Sequence, residues 1–134
     1  MSLINTNKAI NYKMFIKNMG TGFAIGISMA DVKTANFSRG LAYKTPHLIV
    51  LKYAFVKKDE KSAIDNNDRI ALFVNPLPDL PENKQDAVKL TRTKDDKAED
   101  IKKIKAVNIR QSGVKGTLCG MRVAKSWNSA VKEN

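Results

Sequence analysis

Cysteine, histidine and tryptophan each occur once in these 134 residues, as Cys119, His47 and Trp127. A single cysteine excludes an intrachain disulfide and the usual multi-thiolate zinc sites, and it suits a reducing interior. A Cys–His dyad would need His47 and Cys119 to meet, which nothing in their spacing arranges, and a histidine next to Pro46 reads as structural. Gly20, Gly22 and Gly26 are spaced GxGxxxG, which misses the dinucleotide fingerprint, and no GxxxxGK[ST] loop occurs. The acidic run DDKAED at 95–100 lacks EF-hand spacing and its central glycine, so it reads as solvated charge. No catalytic residue, metal site or cofactor is expected, and the chain is not expected to be an enzyme; a small enzyme without a recognisable motif ranks third among the functional readings.

Long apolar runs are also missing. None approaches the roughly 18 residues that span a bilayer. The opening MSLINTNKAINYKMF has no basic segment followed by an apolar stretch. The expectation is a soluble, non-exported protein with no membrane partner, cytoplasmic, or in a virion if it is a coat subunit. Acidic residues are in short supply, 13 against 24 Lys and Arg, for a net charge of +11. That balance favours polyanions as partners. Aromatic residues make up 7%, which leaves few platforms for bases; Tyr12, Phe15, Phe37, Tyr43, Tyr53 and Trp127 are the candidates.

What is present is β-patterned. The length fits one domain, 1–134, able to bury about two thirds of its unfolded surface. His47 to Val56, HLIVLKYAFV, is apolar on both faces a strand would present, so it reads as a central strand. Before it, residues 1–9 read as a loose polar arm. Ile10, Tyr12, Met14 and Ile16 then alternate with Asn11, Lys13, Phe15 and Lys17, the pattern of a half-buried strand with a basic outer face. Residues 18–22, NMGTG, lead into Phe23, Ile25, Ile27 and Met29, alternating with small residues that suit close packing. Residues 10–30 therefore predict a hairpin. A short strand is expected near 41–45 and another over Ile70–Val74, with the proline run 75–81 as a connector.

Residues 82–100, dense in charge, read as a mobile excursion or exposed helix. The stretch 101–110 predicts a strand from about 104, Gln111–Lys115 a turn, and Thr117, Cys119, Met121 and Val123 alternate in a last strand reaching Lys125–Trp127. The fold class expected is mainly β: a small antiparallel barrel or sandwich of five to seven strands with at most one or two short helices.

Charge is unevenly spread, at +6 over residues 1–60, −2 over 61–100 and +7 over 101–134. Lys13, Lys17, Lys102, Lys103, Lys105, Arg110, Lys115, Arg122 and Lys125, with Phe15 between two of them, form the candidate nucleic-acid-binding set if the first and last strands are neighbours. The functional expectation is non-catalytic binding of nucleic acid, single-stranded DNA or RNA, by a homo-oligomer of the phage or mobile-element type. The alternative is a self-assembling viral coat or nucleoprotein subunit.

Overall fold

The computed structural model describes residues 2–4, 10–29, 35–56, 68–91, 104, 106–108 and 115–132. Among these the strands are β1 (Ser2–Ile4), β2 (Ile10–Asn18), β3 (Gly22–Met29), β4 (Asn36–Phe37), β5 (Leu41–Ala42), β6 (Ile49–Ala54), β7 (Arg69–Val74), β8 (Val88–Thr91) and β9 (Ala106–Asn108). One helix, α1 (Trp127–Val131), and a 3₁₀ turn at Glu82–Lys84 complete the list. The protein is mainly β, in two antiparallel sheets. The first runs β4-β3-β2-β1-β9, with β5 also paired to β3; the second runs β6-β7-β8. The described strands do not close either sheet into a barrel.

The hairpin follows directly from its sequence. Asn18 Oδ1 accepts from the Gly20 amide at 2.7 Å, Met19 N donates to Gly22 O at 2.9 Å, and Gly20 takes a φ of +85° that L side chains seldom adopt. The turn fixes the register, with Tyr12 opposite Met29, Met14 opposite Ile27 and Ile16 opposite Ile25. Those positions share the inner face. All but the exposed Ile16 meet Ile70 and Leu72 of β7 in a core that also holds Leu41, with Ile49, Leu51, Tyr53, Val88 and Leu90 packed around it.

A polar tie crosses the same interior. The Tyr12 and Tyr53 hydroxyls lie 2.9 Å apart, Tyr53 donates to Asp68 Oδ2, and Val56 N donates to Asp68 Oδ1 at 2.7 Å. The buried Asp68 carboxylate therefore receives donors on both oxygens, which offsets its desolvation. Burial, and then the bond to Asp68, push the Tyr53 hydroxyl pKa far above its usual value.

The second sheet is roofed on its outer side. Phe73, buried, packs edge-on against Trp127 at 4.7 Å between ring centroids, and Trp127 Nε1 donates to Leu80 O at 3.2 Å. The Gln85 side chain holds the proline loop together by bonding Leu77 N, Leu77 O and Leu80 O. Lys52 reaches Glu82 across this face with both carboxylate oxygens in range, at 2.6 and 2.8 Å. Ser126 caps α1 by accepting from Ser129 N.

Several sequence expectations need correcting. His47–Val56 contains β6, but among the described strands β6 pairs with β7 alone, so there it is an edge strand rather than a central one. Its outer side is apolar because the loop and α1 cover that sheet, and coverage of a face does not require a strand on each flank. The arm at 1–9 contains β1, held between β2 and β9. The excursion at 82–100 is structured in its first half: Glu82–Lys84 is a 3₁₀ turn and β8 pairs with β7, burying Val88 and Leu90 in part, while 92–100 lie outside the described residues. The last strand expected over Thr117–Trp127 is absent. Residues 115–125 are exposed and pair with no described strand, and helix begins at Trp127. The mainly β class holds: five of the described strands are four residues or longer, and β1, β4, β5 and β9 add pieces of two or three. The turn at Gln111–Lys115 lies outside the described residues up to Val114. No described helix is long and apolar enough to cross a membrane.

Candidate nucleic-acid interface

Lys13, Phe15 and Lys17 occupy alternate positions of β2 and stand on the side away from Tyr12 and Met14. Across the pair they face Ser28, Gly26 and Ala24 of β3. These three small residues are buried and make the floor of the outer face. The next strand brings Phe37 opposite Gly26 from the other side. Phe15, Gly26 and Phe37 therefore form one row across three strands, with the backbones of the two phenylalanines separated by two strand spacings, about 9.5 Å.

Gly26 is what lets this row exist. A Cβ built there would lie 2.6 Å from the Phe37 ring, so the ring lies over the glycine where any side chain would push it off. Ser38 pins that geometry, donating through its amide to Ile25 O at 2.8 Å and accepting from Ile25 N on Oγ at 3.1 Å. On the other flank Asn36 Nδ2 reaches Lys89 O of the second sheet at 3.4 Å. The Lys17 ammonium stands 5.4 Å from the Phe37 ring centre, within cation–π range. Phe15 and Phe37 remain 40% and 38% exposed, so each keeps ring surface in water.

The other aromatic candidates are committed elsewhere. Tyr12 and Tyr53 belong to the core and its polar tie, and Trp127 is half-buried against Phe73. Tyr43 stacks on Phe23 at 5.7 Å and donates to Asn18 Oδ1 at 3.0 Å. Phe37 is the functional candidate that charge and alternation alone left out of the set. The small residues at Ala24, Gly26 and Ser28 were its signal, because close packing over Gly26 by Phe37 is what they allow.

The basic candidates separate into groups. Lys13 and Lys17 share the face with the two rings. Lys115 and Lys125 are exposed in the segment leading to α1, and Arg122 in that segment binds the Ser129 and Lys132 carbonyls at the end of the helix, a structural engagement. Lys102, Lys103, Lys105 and Arg110 lie outside the described residues. Of the described acidic side chains, Asp68 immediately precedes β7 and Asp79, Glu82 and Asp86 fall between β7 and β8, so none of them stands on the first sheet.

Other chemistry finds little support. The two ring nitrogens of His47 are taken by Ala42 O and by Asn75 Nδ2, each at 3.0 Å, which fixes the ring as a clip at the start of β6. Cys119 is free and exposed. Among the described residues no three His, Cys, Asp or Glu side chains converge as a metal site would need. No protein-family model matches the chain, and no curated protein or solved structure does so either.

Proposed function

We propose that the outer face of the first sheet binds single-stranded nucleic acid without catalysis, stacking bases on Phe15 and Phe37 and meeting phosphates with Lys13 and Lys17. The observation that carries this reading is the row Phe15–Gly26–Phe37: two partly exposed rings on one sheet face, flanked by lysines and with no acidic side chain among the described residues of that sheet. Base–aromatic stacking tolerates any sequence because every base has a π-face, whereas bases in a duplex are already stacked on one another. The face therefore suits single strands and carries little base-edge readout.

Anisotropy titration with a labelled mixed-sequence oligonucleotide tests it. Phe15→Ala and Phe37→Ala are each expected to weaken binding by about 1–3 kcal/mol, roughly 5- to 150-fold, with little change in melting temperature. Removing Lys13 and Lys17 together is expected to flatten the log–log salt slope by about 1.4, at about 0.7 per phosphate contact on a single strand. Unchanged affinity in both phenylalanine variants, or binding indifferent to salt, would sink the proposal.

A further inference from the structure

The chain leaves both a strand edge and a strand-like segment without partners among the described residues. Asn75 N donates to Leu48 O at 2.7 Å, Leu48 N donates to Asn75 Oδ1 at 2.9 Å, and Val56 N turns the same way toward Asp68. Counting in twos along the antiparallel pair, Val50, Lys52 and Ala54 direct their peptide groups at β7, so those of Ile49, Leu51 and Tyr53 point outward. No described strand meets them. The edge lacks the proline, bulge or free charge that ordinarily blocks such edges, since its one lysine, Lys52, is tied to Glu82. Exposed Leu48 and Phe55 bracket it. The outer edge of β8 lies by β4, where Asn36 binds Lys89 O, and β4 and β9 are two and three residues long, so β6 is the longest open edge described.

The unpaired segment is Thr117–Ala124. Thr117, Cys119, Met121 and Val123 alternate with Leu118, Gly120, Arg122 and Ala124, yet Leu118, Met121 and Val123 stand 65%, 64% and 89% exposed. Apolar side chains of an unpaired segment at such exposure are what strand addition buries. Gly120, at φ +62°, bends the segment, and glycine reaches extended backbone as readily. Donor and acceptor are thus complementary in hydrogen bonding and in apolar character.

We infer that Thr117–Ala124 of one copy adds as a strand to the free edge of β6 in a second copy of this chain. Trp127, anchored on Phe73 and Leu80, tethers the donor at its end, so each copy both gives and receives a strand. The assembly so formed stands independently of the nucleic-acid reading, because it leaves the Phe15–Phe37 face uninvolved.

Light scattering of the full chain, free of nucleic acid, tests this together with crosslinking. The unaltered protein is expected to be oligomeric, and Met121→Glu with Val123→Glu is expected to shift it to monomer mass without lowering its melting temperature, because both side chains are exposed. Leu48→Cys, oxidised in a mixture of two mass-tagged copies, is expected to join native Cys119 across copies, whereas Phe15→Cys is not. A monomer at every concentration, oligomers that survive the double variant, or Leu48→Cys crosslinks confined to single copies would each overturn the inference. Phe15→Ala and Phe37→Ala should assemble normally, which separates this result from the fate of the binding proposal.

Discussion

On the second sheet Phe73 turns outward and is buried by Trp127 and the proline loop, whereas on the first sheet Phe15 and Phe37 turn outward and keep over a third of their surface in water. The difference lies in what the chain lays over each face. The connection from β7 to β8 carries Leu77, Leu80 and Gln85 back across its own sheet, and α1 closes the cover. The β2–β3 connection is a tight turn around Gly20, too short to cover anything, and β4 adds one more aromatic to the open face instead of a roof. Outward aromatics are thus structural in one place and available in the other. An outward phenylalanine cannot be assigned to either role before its cover is known.

The largest expected effect comes from breaking the covered side. Phe73→Ala should cost about 3–5 kcal/mol of folding stability, measured by denaturant unfolding, while the fraction still folded binds oligonucleotide as before. Phe15→Ala should do the reverse. Equal stability losses from the two would mean that the faces do not differ.

Gly26→Ala sharpens the contrast on the open side. The added methyl must displace the Phe37 ring, so overpacking should cost about 1–3 kcal/mol, and oligonucleotide affinity should fall toward that of Phe37→Ala. Unaltered binding in a folded variant would remove Phe37 from the interface.

The tie between the sheets predicts a pH response. Tyr53 in the folded protein holds its proton well above the ordinary value of 10.0, so above that pH the unfolded chain binds fewer protons than the folded one. Stability from this group is fully present below pH 10 and falls as pH rises beyond it. Denaturant titrations at pH 8 and pH 11 should show a smaller loss in Tyr53→Phe than in the unaltered protein; identical losses would remove Tyr53 as the cause.

The smallest effect belongs to the Lys52–Glu82 pair. Both side chains are partly exposed, so a double-mutant cycle should return no more than about 1 kcal/mol, decreasing with added salt.

Much of the fold was legible where a pattern and its partner lie close in sequence. The hairpin from Ile10 to Met29 follows from alternation on both sides of a glycine turn, and Lys13, Phe15 and Lys17 on one outer face follow from the same count. Ile70–Val74 was legible too. Where the partner is distant, the pattern misled. His47–Val56 reads as buried on both faces and is, in part, but hydropathy reports faces and says nothing of edges. Val88 and Leu90, two apolar residues inside a charged run, gave no strand signal until β7 lay beside them. Thr117–Ala124 has the alternation of a strand and no sheet in its own described chain to join.

The sequence by itself determined the β class, the register of the first hairpin, the excess of positive charge and the side of β2 on which Lys13, Phe15 and Lys17 stand, because a strand's two-residue period is a local property of the backbone. Tertiary structure alone decided that Phe37 would lie over Gly26, that Asp68 would be buried between Tyr53 and Val56, and that Phe73 would be roofed while Phe15 and Phe37 stayed partly exposed. Each of these depends on segments far apart in the chain, whose meeting is set by the shared core and by backbone hydrogen bonds that no local pattern encodes.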